Sequence, residues 1–330
     1  MKPAIVGIAG PSLLPEEAAL FRAHPPAGVI LFGRNIQDPA QLARLVAALR
    51  AELPPDAHLM LDQEGGRVAR LRPPHWPAHP PAAVFGRLHA QDPVAAVRAA
   101  WLTGALIGTL CAEAGVDLVA APVLDLRVPG AHDVIGDRAL ADDPEVVGRL
   151  GRAVAAGLLA AGVLPIGKHA PGHGRARVDS HHALPVVEAN HLEADLLPFI
   201  LNADLPWLMT AHIVYPAFDP ERPATLSPIV IQSIIRERIG FKGVLVTDDL
   251  AMHALSGQPV DLVQAALAAG CDVALYCRGD LAATAALLAA LPPLAGAAAE
   301  RVARARAEAA WRRMQLDPAA LTTERDRILA

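Results

Sequence analysis

The sequence predicts an α/β fold, a (β/α)₈ barrel, and three observations point to it. Short apolar runs rich in β-formers alternate with longer segments of helical period, a pattern that argues a parallel sheet covered by helices. Eight such runs can be counted, which is the number that closes a barrel. Charge gathers in the segments just after several of these runs, where a barrel carries its active site. The length of 330 residues suits one such barrel, so a single domain over 1–330 is expected.

The eight runs are Ala4 to Ala9, Gly28 to Phe32, His58 to Asp62, Asp117 to Leu124, Leu164 to Lys168, Trp207 to His212, Gly243 to Thr247 and Asp272 to Cys277. Between them lie well-punctuated helices. Asp38-Pro39 opens one with Leu42, Leu45, Val46 and Leu49 on one face, and Asp143-Pro144 opens another with Val147, Leu150, Val154 and Leu158. An Asp cap followed by Pro at the first helical position is a start signal. A third helix begins at Ser227-Pro228, carries Ile231, Ile234, Ile235 and Ile239 as a stripe, and stops at Gly240. After Leu281 the chain reads as Ala-rich helix to its end, an outer cover over about 280–330. No linker, repeat or second domain is read.

Composition narrows the function. A hydrophobic content of 53% supports a large interior, and a net charge of −5 with interspersed signs leaves no basic stripe for nucleic acid. The stretch Ala153 to Gly167, taken as the longest apolar one, is broken by Gly and Pro and is too short to span a bilayer, so no membrane partner is expected. The apolar start from Ala4 to Gly10 is too short for a signal peptide. Cys111, Cys271 and Cys277 are odd in number and lack C-x-x-C spacing, which fits a reducing cytoplasm. Aromatics are only 4%, whereas polysaccharide clefts rely on stacked rings, so a small soluble substrate is favoured.

The segments after the runs supply the chemistry. Asp248 and Asp249 are adjacent at a strand end, so one is expected to face the barrel mouth and the other the helix layer. A carboxylate in the mouth can attack an anomeric carbon, and the competing role is a helix N-cap. For the acid, Glu64 lies at the strand end just past the third run, but Gly65-Gly66 after it suggests a tight turn that the Glu side chain serves. Asp179-Ser180-His181-His182 offers another acid, because a neighbouring carboxylate stabilises an imidazolium whose ordinary pKa is near 6.5. Residue types alone do not choose between His181 and His182. The loop from Ala170 to Asn190 is long for its kind and reads as functional. Lys168 is one of only three lysines and also suits a Schiff-base, aldolase-like reaction. His169, His173, His181 and His212 could suggest a metal, but no strand end shows H-x-H.

At KHAPGHG and DSHHALP, and in LDQEGGRVARL, GVILFGRNI, DLVAAPVLDL, VIGDRAL, MTAHIVYP and GFKGVLVTDDLAM, the chain resembles the single-domain bacterial β-N-acetylglucosaminidases of glycoside hydrolase family 3. The resemblance covers nearly the whole barrel. It implies a retaining hydrolase acting in peptidoglycan recycling, with Asp248 as nucleophile, His181 as acid/base and Asp179 polarising His181. It further implies that Asp62, Arg70, Arg138, Lys168 and His169 hold the terminal N-acetylglucosamine. No metal and no cofactor are implied, and the substrate is a muropeptide fragment containing anhydro-N-acetylmuramic acid, cut by a monomer or weak homodimer. A family 3 β-glycosidase or phosphorylase of other specificity is the alternative. Ala170 departs from a usual Phe, and Arg175-Ala176 from a usual Asp-Thr.

Overall fold

The computed structural model describes residues 1–180, 183–188 and 192–330. Its centre is a closed, all-parallel barrel of eight strands, here β1 (Lys2–Gly7), β2 (Pro26–Leu31), β3 (His58–Leu61), β4 (Leu118–Val119), β5 (Leu164–Ala170), β6 (Trp207–Thr210), β7 (Val244–Asp249) and β8 (Val273–Tyr276). Each strand pairs with its neighbours in sequence, and β8 closes on β1 through Ala4, Ile5 and Val6.

Successive residues of a strand go to different cores. Ile5, Ile30, Met60, Trp207, Met209, Val246 and Leu275 fill the barrel interior. Val6, Val29, Leu61, Leu208, Leu245 and Ala274 pack instead with the helices. Both faces are buried, which is why these strands read as continuous apolar runs without alternation.

The fourth run, expected over Asp117 to Leu124, contributes strand only at Leu118–Val119. Pro122 has no N–H for the ladder. Pairing nonetheless resumes beyond it, where the Leu124 amide donates to the Lys168 carbonyl at 2.7 Å.

The helices begin where Asp caps predict. Asp38 accepts from the Gln41 amide, and Asp143 from the amides of Glu145 and Val146. The helix after Ser227 is π-bonded over Val230–Arg238, with Ser227 Oγ accepting from the Val230 amide at 3.0 Å, so the expected stripe is present on a wider turn than an α-helix.

The cover after Leu281 is three helices, Leu281–Ala290, Gly296–Arg312 and Pro318–Leu329, broken at Pro292-Pro293 and near Asp317. The middle one is more than outer cover. Val302, Ala305 and Ala309 pack into the interior cluster, and Arg301 pairs with buried Asp272 just before β8, so this helix seals the N-terminal end of the barrel. The barrel is thereby left with one open end, the C-terminal one.

Among the described residues, Pro93–Glu113, rather than 153–167, is the helix long and apolar enough to cross a membrane. Here 61% of its apolar window is buried inside the protein, against Pro144–Ala160 and Pro318–Leu329. The first of these contacts is close because Gly104 and Gly157 lie in it, and a Cβ on either would fall 2.2 Å from a carbonyl oxygen of the facing helix.

Candidate active site

A cavity of about 430 Å³ opens at the C-terminal ends of the strands. It is floored by interior residues Ile30, Met209 and Leu275 and walled by Asp62, Glu64, Arg70, Arg138, Lys168, His169 and Asp248. The six residues expected at the sugar and nucleophile positions come from four places in the chain, Asp62 with Arg70, Arg138, Lys168 with His169, and Asp248, each dozens of residues from the next, and all six meet here.

The loop after β3 is built to hold charge still. Gly65 and Gly66 have φ of +99° and +53°, and their amides donate to Val68 and His79, so the expected tight turn forms. Gln63, fully buried, accepts from the amides of Arg70 and Leu71 and donates to the Leu71 carbonyl, which pins the return of the loop. Glu64 does not serve the turn as expected. Its carboxylate takes both ends of the Arg138 guanidinium at 2.8 Å and lies 2.6 Å from Lys168 Nζ. Burial pushes this carboxyl up, but Lys168 and Arg138 outweigh burial and hold it well below the usual carboxylate range. An acid so strongly ionised has no proton to donate near neutral pH, so Glu64 is not the acid.

Asp62 links the same cluster, 2.9 Å from Arg70 Nη2 and 3.2 Å from Lys168 Nζ. Burial opposes its ionisation, and Lys168 and Arg70 overcome it. Lys168 Nζ therefore sits paired between two carboxylates. The Schiff-base reading needs a free amine, and this geometry does not provide one.

Asp248 ends β7. Its Oδ1 accepts from the Asp249 amide at 2.8 Å, and its side chain borders the cavity. Burial raises its pKa, but His169, His212, the Asp249 amide and Lys168 bring it down to about 2, so it is a carboxylate throughout the physiological range. Asp249 does not turn to the helix layer as expected. It also borders the cavity, where the register between β7 and β8 shifts, and its Oδ1 is occupied by the amides of Ala251 and Cys277. Burial raises the Asp249 pKa, and Asp248 adds to the rise. The two aspartates thus divide into an ionised group on the cavity and a backbone anchor.

Asp125 was not singled out from the sequence. It follows the fourth run directly, which is the position where a barrel places functional side chains, and that was the available signal. Fully buried, it accepts from His169 Nδ1 at 2.6 Å and from the His173 amide at 2.6 Å. With Nδ1–H held in this way, the Nε2 side of His169 is left toward the cavity. Burial, then His169, lowers the pKa of His173 to about 4, and its Nε2 lies 3.2 Å from Ser180 Oγ. His212 is likewise committed, with Nδ1 2.8 Å from Thr225 Oγ1 and Nε2 3.0 Å from the Asp249 carbonyl. Among the described residues no group of three His, Cys, Asp or Glu side chains is arranged to hold a metal ion.

His181 and His182 lie outside the described residues, so the geometry of the expected acid/base is not described. Asp179 and Ser180 are described, and Ser180 lines the cavity. The two departures in this loop have local explanations. Ala170 is fully buried opposite Thr210, and Arg175 Nε donates to Asp195 Oδ2 at 2.7 Å, tying the loop to the helix Glu193–Ile200.

An α/β barrel closed at one end, with an ionised carboxylate in a polar cavity of small-molecule size at the other, defines the class as a barrel glycoside hydrolase. The sequence profile described as "Glycosyl hydrolase family 3 N terminal domain" matches residues 13–315. The chain belongs to glycoside hydrolase family 3. A β-hexosaminidase of Bordetella pertussis is 42% identical over 287 residues, covering 85% of this chain and 81% of the relative. NagZ from Neisseria gonorrhoeae, solved in complex with N-trifluoroacetyl-D-glucosamine, superposes with a TM-score of 0.82 at 33% identity over 99% of this chain and 97% of that one. A family 3 β-N-acetylglucosaminidase from Paenibacillus sp. superposes with a TM-score of 0.83 at 31% identity, over 99% of this chain and 66% of that one.

Proposed function

We propose that the chain is a retaining exo-β-N-acetylglucosaminidase that removes terminal N-acetylglucosamine from peptidoglycan fragments, with anhydro-N-acetylmuramic acid, with or without peptide, as the aglycone. The observation that carries this reading is Asp248, a carboxylate held down to about 2 on the wall of a sugar-sized cavity beside His169 and Lys168. The cavity is closed at its base, which suits a chain end and not the middle of a polysaccharide. A relative's complex with an N-acylated glucosamine supports an acylamino sugar as the group bound.

In the first step an Asp248 oxygen bonds to the anomeric carbon as the bond to the aglycone oxygen breaks, and that oxygen takes a proton from His181. In the second, water attacks the same carbon, gives a proton to His181 and releases Asp248 as a carboxylate. Asp179 supports the imidazolium of His181. Asp62, Arg70, Arg138, Lys168 and His169 hold the sugar hydroxyls and acetamide, their charges already paired so that binding reorganises little. Three free, buried cysteines support a reducing, cytoplasmic setting.

The deciding experiment is hydrolysis of a chromogenic β-N-acetylglucosaminide beside the matching β-glucoside, with the anomer of the first product followed by NMR. Fast release from the first alone, with β-configured product, is expected. Equal rates, an α-product, or N-acetylglucosamine 1-phosphate formed in phosphate buffer would overturn the reading.

A further inference from the structure

Beside the cavity that holds Asp248, a second cavity of about 330 Å³ opens. The two share Ala251, Met252 and Arg278, so they adjoin across the segment that follows β7. A third, of about 180 Å³, meets the first only at Ile135. The second cavity has a mixed wall, with Leu250, Leu255 and Leu262 beside the polar side chains of His253, Gln258 and Arg278.

Charge singles out one residue at the junction. In the first cavity Arg70 is matched by Asp62, Arg138 by Glu64, and Lys168 by both carboxylates. Arg34 donates to the carbonyls of Ile8 and Cys277 and lies over the Phe32 ring. Arg278, just after β8, is exposed and lines both cavities, and among the described residues it makes no ion pair. The nearest carboxylate along the chain, Asp280, is engaged at a helix start, accepting from the Ala283 amide. An unmatched guanidinium at the passage between a sugar pocket and a second, mixed-walled chamber is placed to receive an anion, and its planar fork fits a carboxylate.

We propose that the second cavity is a subsite for the leaving group and that Arg278 selects aglycones bearing a carboxylate. This rests on the glycosidase reading above. The first cavity takes the terminal sugar, so the group beyond the cleaved bond has to lie in adjoining space, and the chamber that shares most wall with the sugar pocket is the one Arg278 guards. Muropeptide aglycones carry carboxylates, whereas simple alkyl or aryl aglycones do not.

The test uses two aryl N-acetyl-β-glucosaminides, with 4-(carboxymethyl)phenyl and 4-(carbamoylmethyl)phenyl leaving groups. The methylene keeps the two phenols close in acidity, so the pair differs in charge and little else. Wild-type enzyme at low salt is expected to favour the carboxylate in kcat/KM by about 1.5-fold to fivefold, the size of one exposed charge pair. The ratio should fall toward unity in Arg278→Gln, be partly kept in Arg278→Lys, and shrink in wild type at high salt. A wild-type ratio of one, or a preference that survives Arg278→Gln, overturns the subsite while leaving the glycosidase reading intact. If wild type cleaves neither compound, the glycosidase reading falls and the subsite with it.

Discussion

His169 Nδ1 lies 2.6 Å from Asp125 Oδ2, and the same carboxylate accepts the His173 amide at 2.6 Å, so one buried charge orients both histidines of the loop after β5. Asp125→Asn removes the charge and sets an amide N–H against one of these donors. Charge-assisted hydrogen bonds contribute about 1.5–3 kcal/mol, so kcat/KM should fall roughly tenfold to hundredfold. Asp125→Ala should also lower Tm, by leaving buried donors unpaired. An Asp125→Asn enzyme with wild-type kcat/KM would show that His169 is oriented by something else.

Asp248→Asn should reduce turnover by more than about a thousandfold with Tm little changed, because the side chain keeps its size and loses its attacking charge. Asp249→Asn should cost less in rate and more in stability, since Asp249 anchors the amides of Ala251 and Cys277. Measured kcat and thermal melts of the pair separate these roles. Equal rate losses would leave the assignment of Asp248 over Asp249 without support.

His181→Ala should cripple cleavage of substrates with poor leaving groups and partly spare activated aryl glycosides, which need little protonation of the leaving oxygen. Azide should accelerate the mutant where breakdown of the covalent intermediate is slow. Asp179→Ala should give a milder form of the pattern, with the basic limb moved to lower pH, because losing a carboxylate lowers the pKa of the imidazole. A uniform loss across the leaving-group series would make His181 a positioning residue.

Stability should fall with acid in two stages. Burial, then Arg325, lowers the pKa of His79 to about 4, and burial does the same to His173. Unfolded histidine binds its proton near pH 6.5, so between about 6.5 and 4 the unfolded chain holds more protons and stability declines as pH falls. Below that, Asp248, lowered to about 2, stabilises the fold above about pH 4 and loses its contribution as pH drops toward 2. His79→Gln can still accept from Arg325, so it should flatten the upper stage. A Tm that is as steep in His79→Gln as in wild type between pH 6.5 and 4 would rule out His79 as a contributor.

Incubation with a chelator should leave the hydrolysis rate unchanged, since the proposed steps use Asp248, His181 and water alone. Loss of activity restored by zinc would point to a metal in the reaction.

The barrel was legible because its strands are buried on both faces and its helices open with Asp-Pro caps, signals that local sequence carries in full. Strand ends also marked where Asp62, Lys168, His169 and Asp248 would gather, since the closure of eight units brings all strand ends to one rim. What each carboxylate does was a tertiary matter. Glu64 looked like a turn residue until Arg138, 74 positions away, and Lys168 were brought to it. Asp125, just past the fourth run, had no assigned role until the chain returned after β5 to set His169 and His173 against it. The last helices looked like cover, and only the closed barrel provided the open base that Val302 and Ala305 plug. Periodicity and caps are properties of a few neighbouring residues, but the protonation state and partner of a buried charge depend on groups that only folding brings within a few ångströms.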